Sequence, residues 1–252
     1  MMNRTTRWAL VTLMAGALAV ACGSDEKSTS RTMSAQEINI PMSGGGTIAA
    51  TWQPVRNARV VVILVPTVGY TRASWESSAS RFNSTGWSVL RIDSPTPAVG
   101  MAGDGAAWTV SSQDSATIIN EMTERIHTAI DYIQKTAGEN SHIALVGSDL
   151  AGVASVYAAG SSQAVGGVGL ISPPGGLTNL MSQGLVSTFG DRPLIIMTEF
   201  PISSVSVTAR TMDSWLGRGS SIALPAPGKP EALADRNAAF SALVEWIRTA
   251  TM

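Results

Sequence analysis

Short apolar runs alternate along the chain with stretches in which apolar residues recur every three or four positions. The runs Val60–Val65 and 143–146 are uninterrupted, as expected of strands that are buried on both faces of a sheet. Between them, a stripe at helical spacing predicts a helix over about 115–135 with the stripe facing inward. The stripe consists of Ile118, Ile119, Met122, Ile126, Ala129, Ile130 and Ile133.

The remaining apolar segments continue this alternation of strands and helices. Residues 37–40 and Thr47–Gln53 flank a glycine-rich connection, which predicts an antiparallel hairpin. The other predicted elements, in chain order, are a helix at 75–85, strands at 88–93, 165–172 and 194–198, a helix at 204–216, a strand at 221–224, and a C-terminal helix marked by Phe240, Leu243, Val244 and Ile247. The order predicts an α/β protein with a mainly parallel central sheet, an N-terminal antiparallel hairpin and helices on both faces.

The N-terminus has the pattern of a targeting segment. Arg4 and Arg7 precede an apolar stretch at 8–20 that is short for a membrane span. Cys22, the only cysteine, follows Ala19-Val20-Ala21 directly. This arrangement resembles the bacterial lipobox, which implies cleavage before Cys22 and attachment of lipid to it. The alternative is an ordinary secretory peptide beside a free thiol, which is unusual in an exported protein.

This pattern predicts three parts and a location. They are a lipoprotein signal peptide at 1–21, a flexible polar tether at 22–35 and one folded domain at 36–252. The domain is then extracytoplasmic in the cell envelope, anchored to a bacterial membrane through lipidated Cys22.

Composition narrows the possible partners. Charged residues make up 14% of the 252 residues, the formal net charge is -1, and the basic residues form no run. We predict no nucleic-acid partner, because phosphate binding requires concentrated positive charge. We also predict no metal and no cofactor, and a chain with one cysteine cannot form an internal disulfide.

The stretch 142–155 carries the candidate chemistry. Gly147, Ala151 and Gly152 are small where a chain that passes from a strand directly into a helix brings backbones into contact. The residues two before and two after the apex of such a turn must be small, which selects Asp149 rather than Ser148 as the displayed side chain. The alternative is that the glycines only allow close packing and that Asp149 caps the helix.

Taken together, residues 36–252 resemble the α/β-hydrolase superfamily, nearest to its compact dienelactone-hydrolase and esterase-like members. Residues 143–155 are similar to the strand, nucleophile elbow and helix of that superfamily. Residues 60–75 resemble its strand and oxyanion loop, 90–93 its following strand and 237–247 its final helix. The resemblance implies an α/β-hydrolase fold and places the active-site cleft at Asp149.

The resemblance also implies a catalytic triad, and this chain departs from it. Asp149 stands at the nucleophile position, as in epoxide hydrolases and haloalkane dehalogenases. Lys229, in Gly228-Lys229-Pro230, stands where the superfamily has its histidine, and Glu199 is the carboxylate nearest the position of the acid. A lysine is mostly protonated at neutral pH and is a poor general base unless it is buried.

Other parts of the implied site are a pair of backbone donors and a pocket lining. The loop Pro66-Thr67-Val68-Gly69 replaces the His-Gly-x-Gly pattern, and the amides of Val68 and Leu150 are the candidate oxyanion donors. The candidate pocket residues are Tyr70, Trp108 and Met181. The only histidines, His127 and His142, both precede the elbow, and we expect them at the surface rather than in catalysis.

Three functions remain open from the sequence. The first is a lipid-anchored pseudo-hydrolase in which Asp149 and Lys229 form an ion pair and the old cleft binds a small apolar or acyl ligand. The second is an active hydrolase of esters or related bonds that uses Asp149, with Glu199 or a neutral Lys229 assisting, or uses Ser148. The third is a structural envelope lipoprotein that has no ligand.

Overall fold

The central feature is an eight-stranded sheet. The protein is described by a computed structural model over residues 33–95, 112–173, 192–198, 219–223 and 230–251. Within these ranges the strand order is β1-β2-β4-β3-β5-β6-β7-β8. The strands are β1 Gln36–Pro41, β2 Thr47–Gln53, β3 Val60–Val65, β4 Ser88–Ile92, β5 His142–Ser148, β6 Val165–Ile171, β7 Leu194–Thr198 and β8 Gly219–Ala223.

Strand direction divides the sheet into two parts. β1 pairs with β2, and β2 with β4, in the antiparallel sense. From β4 through β3, β5, β6 and β7 to β8, every neighbouring pair is parallel. The predicted mainly parallel sheet with an N-terminal antiparallel hairpin is therefore confirmed. The carboxyl ends of β3 to β8 lie at one edge, where ligand sites of open α/β sheets form.

Four helices cover the sheet in the described part of the chain. They are α1 Glu76–Ser84, α2 Ser112–Ala137, α3 Leu150–Ser161 and α4 Asn237–Ala250, with 3₁₀ turns at Arg72–Trp75 and Pro230–Asp235. α2 is longer at both ends than the apolar stripe predicts, since exposed turns need no inward apolar residue. The predicted helix at 204–216 and Leu224 lie outside the described residues.

Two apolar cores lie on opposite faces of the sheet. On one face, α2 and α3 pack against the strands, and the predicted isoleucine stripe is buried apart from Ile118, which is partly buried. On the other face, α1 and α4 pack around Phe82, whose ring centroid lies 4.7 Å from that of Phe240. Helices on both faces match the prediction. In the described residues, no helix has the length and apolar character needed to cross a membrane.

Candidate functional site

Asp149 is the single residue between β5 and α3, and its backbone is strained. Its φ is 53° and its ψ is -131°, in a region that favours glycine. The Asp149 amide donates to the carbonyl of Ile171 at 3.1 Å, and the amide of Gly152 donates to the Asp149 carbonyl at 3.1 Å. These bonds fix the turn from both sides. The half-buried Asp149 therefore stands at the carboxyl edge of the sheet, between a strand end and a helix start.

Two glycines make this turn sterically possible. A Cβ atom on Gly147 would lie 2.7 Å from the carbonyl oxygen of Ala151, and one on Gly152 would lie 2.9 Å from the carbonyl oxygen of Gly147. Both contacts are with backbone, which cannot move aside without opening the turn. The small residues noted in the sequence thus mark a close approach of β5 and α3.

Ser148 is turned away from solvent. It is the last residue of β5, it is fully buried, and its Oγ lies 2.8 Å from Thr67 Oγ1. The bond joins the elbow to the loop that follows β3. This placement does not favour the alternative in which Ser148 attacks a substrate, because a nucleophile must reach the substrate.

The loop after β3 carries Val68 and lies beside the elbow. Ser94 holds it on the other side, because Ser94 Oγ accepts from the Gly69 amide at 3.1 Å and donates to the Tyr70 carbonyl at 2.7 Å. Val68 and Leu150, whose amides are the candidate oxyanion donors, are both buried residues. The contacts of Ser94 and Ser148 hold this loop next to the turn, where those amides would be needed.

Arg72, at the start of the 3₁₀ turn, ties this loop to the antiparallel part of the sheet. Its amide and Nη1 donate to the two oxygens of Asp93 at 2.7 and 2.6 Å, and its Nε donates to Thr51 Oγ1 at 3.0 Å and to Glu37 Oε2 at 3.1 Å. Thr51 Oγ1 in turn donates to Glu37 at 2.6 Å. The sequence gives no sign of this four-residue network, because its members come from distant segments.

The charges in this network shift two pKa values. Hydrogen bonds from Thr51 and Arg72 lower the pKa of Glu37, although burial opposes the change. Burial acts to lower the pKa of Arg72, but the hydrogen bond to Glu37 and the charges of Asp93 and Glu37 outweigh it and raise the pKa. Both pKa shifts favour the ionised forms of Glu37 and Arg72.

A cavity of about 340 Å³ opens between the loop that follows β3 and α2. Tyr70 is among its lining residues, and its place in the elbow cleft stays a prediction. The other two predicted pocket residues, Trp108 and Met181, lie outside the described residues. The lining is Thr47, Ala49, Gly69, Tyr70, Thr71, Asp93, Ser94, Pro95 and Arg125.

Both histidines of the chain lie far from Asp149. His142 is the exposed first residue of β5, and at a rise of about 3.3 Å per residue it lies about 20 Å from the elbow end of that strand. His127 Nε2 lies 2.9 Å from Ser161 Oγ at the last residue of α3, about 16 Å along that helix from the elbow. Neither imidazole is within reach of Asp149.

The remaining site predictions lie outside the described residues. These are Glu199, Lys229 and Cys22, so the Asp149–Lys229 ion pair stays a prediction. In the described part of the chain, no group of three or more histidine, cysteine, aspartate or glutamate side chains is placed to hold a metal ion.

Several solved structures share the fold of this chain at low sequence identity. An esterase from Pyrococcus furiosus matches with a TM-score of 0.66 at 11% identity, over 87% of this chain and 92% of its own. A predicted CIB-like hydrolase from Thermoplasma acidophilum gives a TM-score of 0.63 at 13% identity, over 86% and 99%. A dienelactone hydrolase from Anabaena variabilis gives 0.61 at 15% identity, over 87% and 100%. Neither protein-family models nor curated proteins match the sequence.

The strand order, the elbow and these likenesses define the class of fold. The chain has an α/β-hydrolase fold, which it shares with the esterase and the dienelactone hydrolase. At 11–15% identity the likeness supports the fold, and function has to be argued from the site itself.

Proposed function

We propose that the protein is a pseudo-hydrolase: it keeps the α/β-hydrolase fold, binds a small apolar or acyl ligand at the elbow, and lacks turnover that depends on histidine. The position of the two histidines carries this proposal. Both histidines lie in the part of the chain that the structure describes, and neither lies near Asp149. An aspartate nucleophile forms an ester that must be hydrolysed by water, and that water needs a base beside it.

The buried Ser148 supports the same proposal. A serine that is fully buried and bonded to Thr67 helps to hold the turn together and is poorly placed to attack a substrate. Removal of members of a triad leaves only weak residual catalysis from binding and backbone donors. The cleft then serves to hold a molecule rather than to transform it.

A second candidate function is hydrolysis through Asp149 with a base other than histidine. The strained backbone of Asp149 favours it, since a non-glycine residue in such a conformation costs on the order of 1–3 kcal/mol and is found most often at functional sites. The solved structures with the same fold that bear the names esterase and hydrolase also favour it. The two candidates share the site and differ in whether product forms.

Turnover by purified protein separates these two candidates. We expect no hydrolysis above buffer for short and medium p-nitrophenyl esters, an aryl epoxide and a haloalkane, because no histidine activates water at Asp149. The same result is expected for Asp149→Asn. The measurement is product release over hours at pH 7 to 9, with circular dichroism to show that each protein is folded.

Asp131→Asn is the matched control, because Asp131 is an exposed aspartate on α2. Turnover that Asp149→Asn abolishes and Asp131→Asn leaves intact would contradict the pseudo-hydrolase proposal and establish Asp149 as the nucleophile.

We also propose that Cys22 is lipidated and holds the domain at 36–252 on a bacterial membrane, outside the cytoplasm. The support is the sequence pattern before Cys22. Replacing Cys22 with alanine removes the acceptor thiol, so we expect loss of radiolabelled palmitate from the protein. Ser24→Ala, two residues away, keeps the thiol and serves as the control. Equal labelling of the Cys22→Ala protein and the wild type would refute the anchor.

A further inference from the structure

The cavity between the loop that follows β3 and α2 lies on the side of that loop away from the elbow. It is formed where β2 begins and β4 ends, whereas Asp149 follows β5, on the other side of β3 in the sheet. Its volume is about 340 Å³, and ligand pockets range from about 300 to 1,000 Å³. The strand order therefore separates this cavity from the elbow, and its volume suits a small molecule.

Hydrogen bonds between distant segments fix the walls of the cavity. The Asp93 amide donates to the Ala49 carbonyl at 3.0 Å, which joins the end of β4 to the start of β2. Ser94 Oγ bonds to one amide and one carbonyl of the loop after β3, and Arg72 bonds to both oxygens of Asp93. Walls that are already ordered lose little conformational entropy when a ligand enters, which favours binding.

Asp93, in the lining, is a hydrogen-bond acceptor that is held in place. Its Oδ1 accepts the Arg72 amide at 2.7 Å, and its Oδ2 accepts Arg72 Nη1 at 2.6 Å. An ionised carboxylate has about four acceptor positions, so Asp93 retains capacity for a further donor such as a ligand hydroxyl. The adjacent Arg72 cation compensates the negative charge of Asp93, so a ligand with a negative group elsewhere is tolerated.

Arg125 on α2 is the cation of the lining. Its side chain is only 17% exposed, and its partner in the described part of the chain is Glu121, one turn earlier on the same helix. Nη2 and Nε of Arg125 donate to a single oxygen, Glu121 Oε1, at 3.2 and 3.4 Å. Charge-assisted bonds of this kind are usually about 2.7–2.9 Å long. The Nη1 group makes no hydrogen bond within the described residues, so its N–H donors are available to a ligand.

The pair with Glu121 does not account for the enclosed position of Arg125. An exposed pair at this helical spacing contributes little to stability, whereas enclosure takes water away from the donors of the guanidinium. The Glu121 side chain is 47% exposed, so it can turn into solvent when another anion takes its place. A ligand carboxylate can bind the guanidinium through two parallel bonds to two oxygens, which Glu121 does not do here.

We infer that this cavity binds a small hydroxylated carboxylate of the sugar-acid type. Arg125 binds its carboxylate, and Asp93 accepts a hydrogen bond from one of its hydroxyls. Thr47 and Thr71 add two exposed hydroxyls to the lining, and Pro95 adds a buried apolar surface for carbon atoms of the ligand. The inference goes beyond the proposed function, because it concerns a second cavity and does not depend on what the elbow binds.

Calorimetric titration of the purified protein with glucuronate tests the inference. Glucuronamide is the first comparison ligand, because it keeps the ring and the hydroxyls and replaces the carboxylate with a neutral amide. Cyclohexanecarboxylate is the second, because it keeps a ring and the carboxylate and lacks the hydroxyls. We expect the wild type to bind glucuronate about tenfold or more tightly than either compound, since each comparison removes hydrogen bonds to one of the two charged groups.

Arg125→Gln removes the guanidinium. We expect its affinity for glucuronate to fall about tenfold or more, with the affinity for glucuronamide unchanged, because only the carboxylate uses the charge of Arg125. Arg248→Gln is the matched control, since it also removes one positive charge and one pair within a helix, with Glu245 at 2.7 Å. We expect it to bind glucuronate as the wild type does.

Four outcomes would overturn the inference. Equal binding of glucuronate and glucuronamide would refute the role of the anion, and equal binding of glucuronate and cyclohexanecarboxylate would refute the role of the hydroxyls. Equal weakening of Arg125→Gln and Arg248→Gln, or no weakening of Arg125→Gln, would show that glucuronate binds elsewhere. No binding of glucuronate by the wild type up to about 10 mM would remove the site itself. None of these results bears on turnover or ligand binding at Asp149.

Discussion

Replacing Gly147 with alanine is expected to lower the free energy of unfolding by about 3 kcal/mol or more, the range in which overpacking and backbone strain combine. The added Cβ would lie 2.7 Å from the Ala151 carbonyl oxygen and 2.8 Å from the Gly152 Cα. Both are backbone atoms of the first turn of α3, so the helix must move away from β5. Urea denaturation followed by circular dichroism measures the loss.

Gly44→Ala is the control for this substitution. Gly44 lies in the connection between β1 and β2, has no positive φ, and a Cβ placed on it would meet nothing within 4 Å. We expect a change of less than about 0.5 kcal/mol there. Equal stability of the two variants would mean that β5 and α3 do not approach as closely as the elbow geometry requires.

Replacing Arg72 with methionine is expected to cost about 2 kcal/mol of unfolding free energy at neutral pH. The change removes side-chain hydrogen bonds to Glu37, Thr51 and Asp93, and a bond to a charged group contributes about 1.5–3 kcal/mol. The expected loss of unfolding free energy lies at the low end of that range because the Glu37 side chain is 65% exposed. Arg248→Met, which removes an exposed pair with Glu245, should change the stability by less than about 1 kcal/mol.

The effect of Arg72→Met should also depend on pH. The folded protein lowers the pKa of Glu37 from its ordinary value of 4.5, so the stabilisation is complete above that value and is lost as the pH falls through the folded pKa. The difference in unfolding free energy between the wild type and Arg72→Met should therefore stay constant from pH 7 to about pH 4.5 and shrink on further acidification. A difference that stays constant, or grows, on acidification would rule out this ion-pair network as its source.

The architecture could be predicted because its causes are local. Apolar runs and helical stripes predict which segments are buried, and the order of these segments predicts a parallel sheet. The spacing of Gly147, Ala151 and Gly152 predicts that the backbones of β5 and α3 approach closely. The structure places Asp149 at the turn between them, with a φ of 53°. In each case the residues that form the feature are neighbours along the chain.

The features that were missed depend on long-range contacts. Arg72 is an ordinary surface-type residue in the sequence, and its partners Glu37, Thr51 and Asp93 become visible only when β1, β2 and β4 are side by side. Ser172 belonged to an apolar run and was predicted to be part of the strand. Its φ is positive, and its amide donates to the Met197 carbonyl on β7, a contact between segments that are distant in the sequence.

The N-terminal segment meets the domain at the end of the sheet away from the elbow. The amide of Met33 donates to the carbonyl of Pro54, just beyond the pairing of Gln53 with Val89 near the start of β4. This is the edge of the sheet opposite Asp149. If Cys22 holds the protein on a membrane, the tether is attached at the end of the domain away from Asp149 and leaves the elbow uncovered. A ligand could then reach the elbow without displacing the anchor.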